Sequence, residues 1–252
     1  MNSFKHSGAF GDLIYSLPIV KHLGGGDFFL HLNQINWIGQ YYYNSPPNLF
    51  HKDRLTLEDF VYMEDFMLAQ DYITTFNVLD PKTSMINFDL DRFRKPFVNH
   101  PGNYVDIYSD VFKITDPTEK TTIRTTPWIT VPTKNKVASL VVNRTERWIA
   151  TQIPKEWKQT IEESSSSVFI GLPHEHEKFE KDLGIKIDYY PTKTLLEVAS
   201  VIAGSDLFIG NQSSGLAVAI GLGVPFNCEL RRDLPKERNE CYFHNQPNGH
   251  YF

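Results

Sequence analysis

The chain has 252 residues, 41% of them hydrophobic, which suffices for one large domain or two small ones with a proper core. A formal charge of −5 and a pI near 6.0 exclude a generally basic character, so nonspecific nucleic-acid binding is disfavoured. Two cysteines, Cys228 and Cys241, make neither a disulfide framework nor a cysteine-based zinc site. No apolar run reaches a membrane-spanning length and the first residues lack the basic and apolar segments of a signal peptide; the expected compartment is the cytoplasm.

In chain order, a short strand is expected around Ser3 to Lys5, followed by a glycine-bearing turn from Ser7 to Gly11. A helix then begins near Asp12, or a few residues later so that Pro18 falls in its first turns, with Leu13, Ile14, Leu17 and Val20 inward and Gly24 to Gly26 ending it. Phe28 to Leu32 reads as the second strand. The aromatic stretch from Asn33 to Lys52, with Trp37, Tyr41, Tyr42 and Tyr43, reads as a long loop whose rings suit core packing or a sugar-stacking wall. Thr56 and Asp59 resemble a capping box for a helix to about Gln70. Tyr72 to Val78 and Met85 to Phe88 read as strands, and Tyr104 to Phe112 as a helix. Between Lys113 and Lys136 the chain is rich in Thr, Pro and Lys without helical periodicity, which marks a linker.

The second half alternates cleanly. Strands are expected at Val137 to Val142, Val168 to Leu172, Ile185 to Tyr190 and Leu207 to Ile209. Helices are expected at Pro154 to Glu162, His174 to Leu183, Thr194 to Ala203 and around Ala217 to Leu222. Strand, polar loop and helix in FIGNQSSGLAVAIGLGVP, Phe208 to Pro225, form a unit whose helix N–H groups suit a phosphate, although an ordinary connection capped by Ser213 fits as well. Such alternation implies parallel sheets covered on both faces. The fold class is therefore α/β with two Rossmann-like parallel-sheet domains facing a cleft, residues 1–125 and 136–228, with a tail over 229–252.

Four segments, in order, resemble the family 9 glycosyltransferases, the heptosyltransferase-like enzymes of the GT-B fold. Gly11, Asp12, Leu13, Ser16, Leu17 and Pro18 stand where the family has a Gly-Asp pair and a Leu-x-x-x-Pro-like helix. VVNRTERWIATQIPKEWKQTI, Val141 to Ile161, is similar to its strand, basic loop and Trp-containing helix. VFIGLPHEHEKF, Val168 to Phe179, is similar to its Gly-x-Pro-x-Glu segment, and Phe208 to Pro225 to its Asn-Asp-Ser-Gly-Pro-x-His-Leu-Ala-Ala-Ala-Leu-Gly-x-Pro signature. Gln212 replaces the usual Asp, Ser214 and Gly215 stand for Gly and Pro, and Ala217 replaces the His; residues 33–135 match nothing in the family, so the N-terminal half is a reduced one.

The resemblance implies a metal-independent transfer of sugar from a nucleotide-sugar donor to a glycan or other hydroxyl acceptor, with inversion and no cofactor. It maps the base to Asp12, next to Gly11; an N-cap is the other reading of Asp12, and His6 either assists or simply packs. Arg144, Thr145 and Arg147 follow a strand directly and suit a diphosphate, with surface salt bridging as the alternative for the arginines. Ser213, Ser214 and Gly215 add hydroxyl and N–H contacts, while Asn211 and Gln212 orient the loop. Glu175 suits ribose hydroxyls or, equally, its own helix start. His174 and His176, two apart, do not face a metal together. Two other readings share these features: a nucleotide or sugar-nucleotide binding module without catalysis, and an enzyme of the same fold that glycosylates a modified base in viral DNA, which the net charge disfavours.

Overall fold

The computed structural model describes residues 1–33, 55–96, 103–146, 149–150, 152–230 and 246–252. It divides into two compact units, Met1–Arg124 and Thr125–Phe252.

In the first unit, strand β1 (Asn2–His6) leads into helix α1 (Phe10–His22) and strand β2 (Gly26–Leu30). Helix α2 (Leu57–Leu68), strand β3 (Ile73–Val78), strand β4 (Phe88–Asp89), a 3-10 turn (Leu90–Arg94) and helices α3 (Tyr104–Val111) and α4 (Pro117–Thr125) follow. The four strands form one parallel sheet in the order β3-β2-β1-β4. Parallel strands need covered crossovers, and α1 answers with Leu13 to Val20 all buried, a helix apolar around its whole circumference. Phe4, Leu13, Leu17, Phe28, Leu30 and Phe66 are fully enclosed in this core. The capping box of α2 forms as its spacing predicts: the Thr56 N–H donates to Asp59 Oδ2 at 2.7 Å and the Asp59 N–H to Thr56 Oγ1 at 3.3 Å.

Two expectations about this half are corrected. Helix α1 begins at Phe10, with Ala9 extended in front of it, so Asp12 lies inside the first turn and is not the cap, and Pro18 falls in the middle of the helix. Burial on all sides holds the helix through the missing proline N–H. The stretch 113–136 is not a continuous linker, because α4 occupies part of it. Asp116 starts that helix by accepting from the Thr118 and Glu119 N–H groups, and Arg124 anchors its end on both oxygens of Asp106 at 2.7 Å.

The second unit runs β5 (Leu140–Asn143), α5 (Lys155–Glu163), β6 (Ser167–Phe169), α6 (Pro173–Leu183), β7 (Asp188–Tyr189), α7 (Leu195–Ala203), β8 (Leu207–Asn211), α8 (Ser214–Leu222), β9 (Phe226–Glu229) and β10 (Gly249–Tyr251). The sheet is parallel throughout, in the order β10-β9-β8-β5-β6-β7. Leu140, Val142, Trp157, Phe169, Phe179 and Ile209 make its core, and Phe252 packs on it. The end of the tail thus belongs to this unit as an edge strand.

Both sheets reverse their winding once. In the first, the chain moves outward from β1 to β3 and returns to place β4 on the other side of β1. In the second, it moves from β5 to β7 and returns to place β8 beside β5. At such a reversal the two neighbouring loops leave the carboxyl edge in opposite directions and open a crevice, where ligands of α/β sheets gather. Helix α1, with Asp12 in its first turn, follows β1, and the loops carrying Thr145 and Ser213 follow β5 and β8.

Candidate active site

In the first unit the loop Ser7–Ala9 turns the chain from β1 into α1 and brings Asp12 to the reversal point. The Asp12 carboxylate accepts from Tyr104 Oη at 2.9 Å on one oxygen and lies 3.5 Å from Arg94 Nη1 on the other, with 17% of the side chain exposed. Arg94 also reaches Asp91, Nε to Oδ1 at 3.4 Å. Asp91 in turn accepts from the Ser7 N–H at 3.1 Å and pairs with Lys5 at 3.2 Å. Despite burial, which opposes ionisation, the charge of His6 once it is protonated in acid, those of Arg94 and Lys5, and the Ser7 bond hold the Asp91 carboxyl down at about 2.

His6 is completely enclosed. The Gly8 N–H donates to its Nδ1 at 2.8 Å, so its proton sits on Nε2, which faces Tyr108 Oη at 2.9 Å. Tyr108 then donates to the Asp12 carbonyl at 3.0 Å. Burial pushes the His6 pKa down to about 3 and leaves the ring neutral. His6 therefore packs and fixes the start of α1, the second of the two roles its position allowed. Gly8 is required at this point: a Cβ there would meet Arg94 Nη2 at 2.2 Å, His6 Cε1 at 2.7 Å and Asp12 Oδ2 at 3.1 Å.

In the second unit the ends of β5 and β8 are sewn together by Asn211. Its Oδ1 accepts the Thr145 N–H at 3.1 Å and its Nδ2 donates to the Thr145 carbonyl at 3.0 Å, so the side chain imitates a further rung of the ladder. Asn143, which sequence reasoning passed over, supports the next loop. Its Nδ2 donates to the Ile170 carbonyl at 2.8 Å and its Oδ1 lies 3.3 Å from Ser213 Oγ. Helix α8 starts at Ser214 with Ser213 in the cap position but without a side-chain cap bond. The hydroxyls of Ser213 and Ser214 are half-buried at that start, and Gln212 and Gly215 are buried. Thr145, Asn211, Ser213, Ser214 and Gly215 are thus brought together, as the sequence implied.

Two expected ligand contacts turn inward. Arg144 is 6% exposed and its fork is engaged by Glu229, Nε to Oε2 at 2.6 Å and Nη2 to Oε1 at 2.9 Å, with Nη1 3.7 Å from Asp182. Glu229 is fully buried at the end of β9 and also accepts the Ala150 N–H. A buried cation requires such a partner, so Arg144 fastens the loop after β5 and does not present a free fork. Glu175 caps its own helix: its Oε2 accepts the Leu172 N–H at 3.0 Å and its Oε1 the Glu146 N–H at 3.3 Å. His176 donates from Nε2 to the Ile187 carbonyl at 2.8 Å and stacks on Tyr189. Among the described residues no cluster of three or more His, Cys, Asp or Glu is arranged for a metal. Arg147, Trp37, Tyr41, Tyr42, Tyr43 and Cys241 lie outside the described residues.

The fold is similar to that of solved glycosyltransferases of family 9 and heptosyltransferases. A family 9 glycosyl transferase from Veillonella parvula DSM 2008 aligns over 99% of this chain and 84% of its own, with a TM-score of 0.56 at 13% identity. The Escherichia coli ADP-heptose LPS heptosyltransferase II aligns over 100% and 90%, with a TM-score of 0.58 at 10% identity. The dodecameric iron-containing heptosyltransferase TibC, solved with ADP-D-beta-D-heptose, aligns over 98% and 62%, with a TM-score of 0.50 at 12% identity. No protein-family model and no curated protein matches the sequence. Among the described residues no helix is long and apolar enough to cross a membrane.

Proposed function

We propose that the chain is a metal-independent, inverting glycosyltransferase of GT-B type that moves a sugar from a nucleotide-sugar to a hydroxyl acceptor. The observation that carries this reading is the Asp12 carboxylate, partly exposed at the reversal point of its sheet and held there by Tyr104 and Arg94. On this reading the acceptor hydroxyl attacks the anomeric carbon while Asp12 takes its proton, and the bond from that carbon to the diphosphate breaks on the opposite face, its electron pair leaving with the nucleoside diphosphate. In the second unit, the N–H groups opening α8 and the hydroxyls of Ser213 and Ser214 meet the charge that develops on the diphosphate. TibC was solved with an ADP-sugar, which makes ADP-sugars the first donors to try.

The test is a panel of ADP-, UDP- and GDP-sugars, read by thermal shift and by transfer or donor hydrolysis. A donor that binds the folded chain raises its apparent stability. Asp12→Asn should then lower kcat on the order of 100- to 10,000-fold. Transfer that survives this substitution would overturn the assignment of the base.

A specific observation favours a second reading, a sugar-nucleotide binding module without catalysis. The family's signature His is replaced by Ala217, which is fully buried, and Arg144 is neutralised by Glu229. A thermal shift with a donor, but no turnover by the wild type with any acceptor tried, would select it.

A further inference from the structure

Arg94 is not among the residues that the family resemblance points to, yet it joins Asp12 to Asp91 through one guanidinium. Its side chain is 11% exposed and lies face-on to the Phe93 ring at 4.8 Å. Nη1 addresses Asp12 and Nε addresses Asp91. Nη2 is buried without a hydrogen-bond partner, lodged where a side chain on residue 8 would stand. An orphaned buried donor is unfavourable and calls for an explanation. The guanidinium is evidently set by its two carboxylates rather than by the fullest use of its own donors. We propose that Arg94 is a positioning residue for Asp12: braced by Asp91 and seated against Gly8, it fixes both the direction and the negative charge of the carboxylate that receives the acceptor proton. This rests on the reading of Asp12 as the base.

Other described groups near Asp12 differ from Arg94 in charge. Tyr104 and Tyr108 of α3 bond its carboxylate and its carbonyl through phenol hydroxyls, which bring no positive charge, and burial raises Tyr108 well above the ordinary phenol range. His6, behind Tyr108, is neutral, and Lys5 is turned to Asp89 and Asp91. Arg94 is therefore the charged group of opposite sign that these contacts place against the carboxylate. A lysine could keep the charge but has no fork to span Asp12 and Asp91 together.

Arg94→Gln and Arg94→Lys are to be compared with the wild type in two ways: transfer across pH, and titration of the Asp12 carboxylate by carbon-13 NMR, its signal identified by its loss in Asp12→Asn. In Arg94→Gln the carboxylate should titrate at higher pH than in the wild type. The acid limb of kcat should move the same way, kcat should fall on the order of 100-fold, and the donor KM should hold. Arg94→Lys should lie between on each measure. An Asp12 that titrates at the same pH in both forms overturns the proposal, as does a loss carried by KM alone. Should Arg94→Gln fail to fold, the lysine variant decides by the same titration. The NMR arm needs no turnover, so failure of the functional reading is separate: the wild type then transfers from no nucleotide-sugar, or Asp12→Asn transfers as well as the wild type.

Discussion

His6 shows what one enclosed imidazole does to its surroundings. Its folded pKa of about 3 lies below the ordinary 6.5, so between those values the unfolded chain binds a proton that the folded chain refuses. The contribution is complete above pH 6.5 and drains away as pH falls through that window, by at most about 1.4 kcal/mol per pH unit. Asp91, held at about 2 from 3.8, adds a loss of the same sign below pH 4. We predict that β1 amides lose hydrogen-exchange protection between pH 6.5 and 5, after correction for intrinsic rates, and that His6→Gln flattens this slope while lowering protection overall. An unchanged slope in the variant would refute the assignment. At this scale the sequence disclosed the carboxylate and the histidine, but not their setting. Tyr104 and Tyr108 lie 92 and 96 positions beyond Asp12, and contacts over such separations leave no local periodicity to read. The partner of Arg144 was hidden for the same reason. An arginine after a strand reads alike whether it awaits a phosphate or closes on a glutamate 85 residues later.

Among the elements, α8 carries the most specific consequence. A glycine within a helix usually gains from replacement by alanine, because Gly gives up more chain freedom on folding. Gly215 should do the opposite: its Cβ would stand 2.6 Å from Asn143 Oδ1 and 3.2 Å from a carbon of the buried Phe208 ring. We predict that Gly215→Ala destabilises by about 1–3 kcal/mol in denaturant unfolding. In a double-mutant cycle, Asn143→Ala should recover part of that loss, since it removes the nearest obstacle. Additive losses would show that Asn143 is not what the methyl group meets. The alternation of strands and helices in the second half was legible where strands such as β5 and β8 show an apolar run and helices such as α5 and α7 an apolar stripe. Helix α4 was not, since Ile123 alone is buried along it and its hold comes from Asp116 and the Arg124–Asp106 pair.

For the molecule as a whole, the proposed division of labour gives separable effects. If the donor is held by the second unit, Asp12→Asn should keep the full donor-induced thermal shift while losing turnover, and Gly215→Ala, which disturbs the start of α8, should reduce the shift itself. A shift abolished by Asp12→Asn would count against that division. The α/β class and both reversal loops could be read before any coordinates. The edge strand β10 could not, because three residues after a polar stretch carry too little pattern.

Glu229 has a further consequence, for the order in which the second unit is made. The partner that neutralises Arg144 and ties down Ala150 is translated 85 and 79 residues after them. Until β9 leaves the ribosome and docks beside β8, Arg144 at the end of β5 lacks the carboxylate that takes its fork, with Asp182 3.7 Å from its Nη1 as the earlier partner, and the Ala150 N–H lacks its acceptor. Closure of the loop after β5 and docking of β9 should accordingly be one cooperative event in a nascent chain. The buried thiol of Cys228, next to Glu229, offers its own clock: its shielding from alkylation should begin when the Ala150 amide becomes protected.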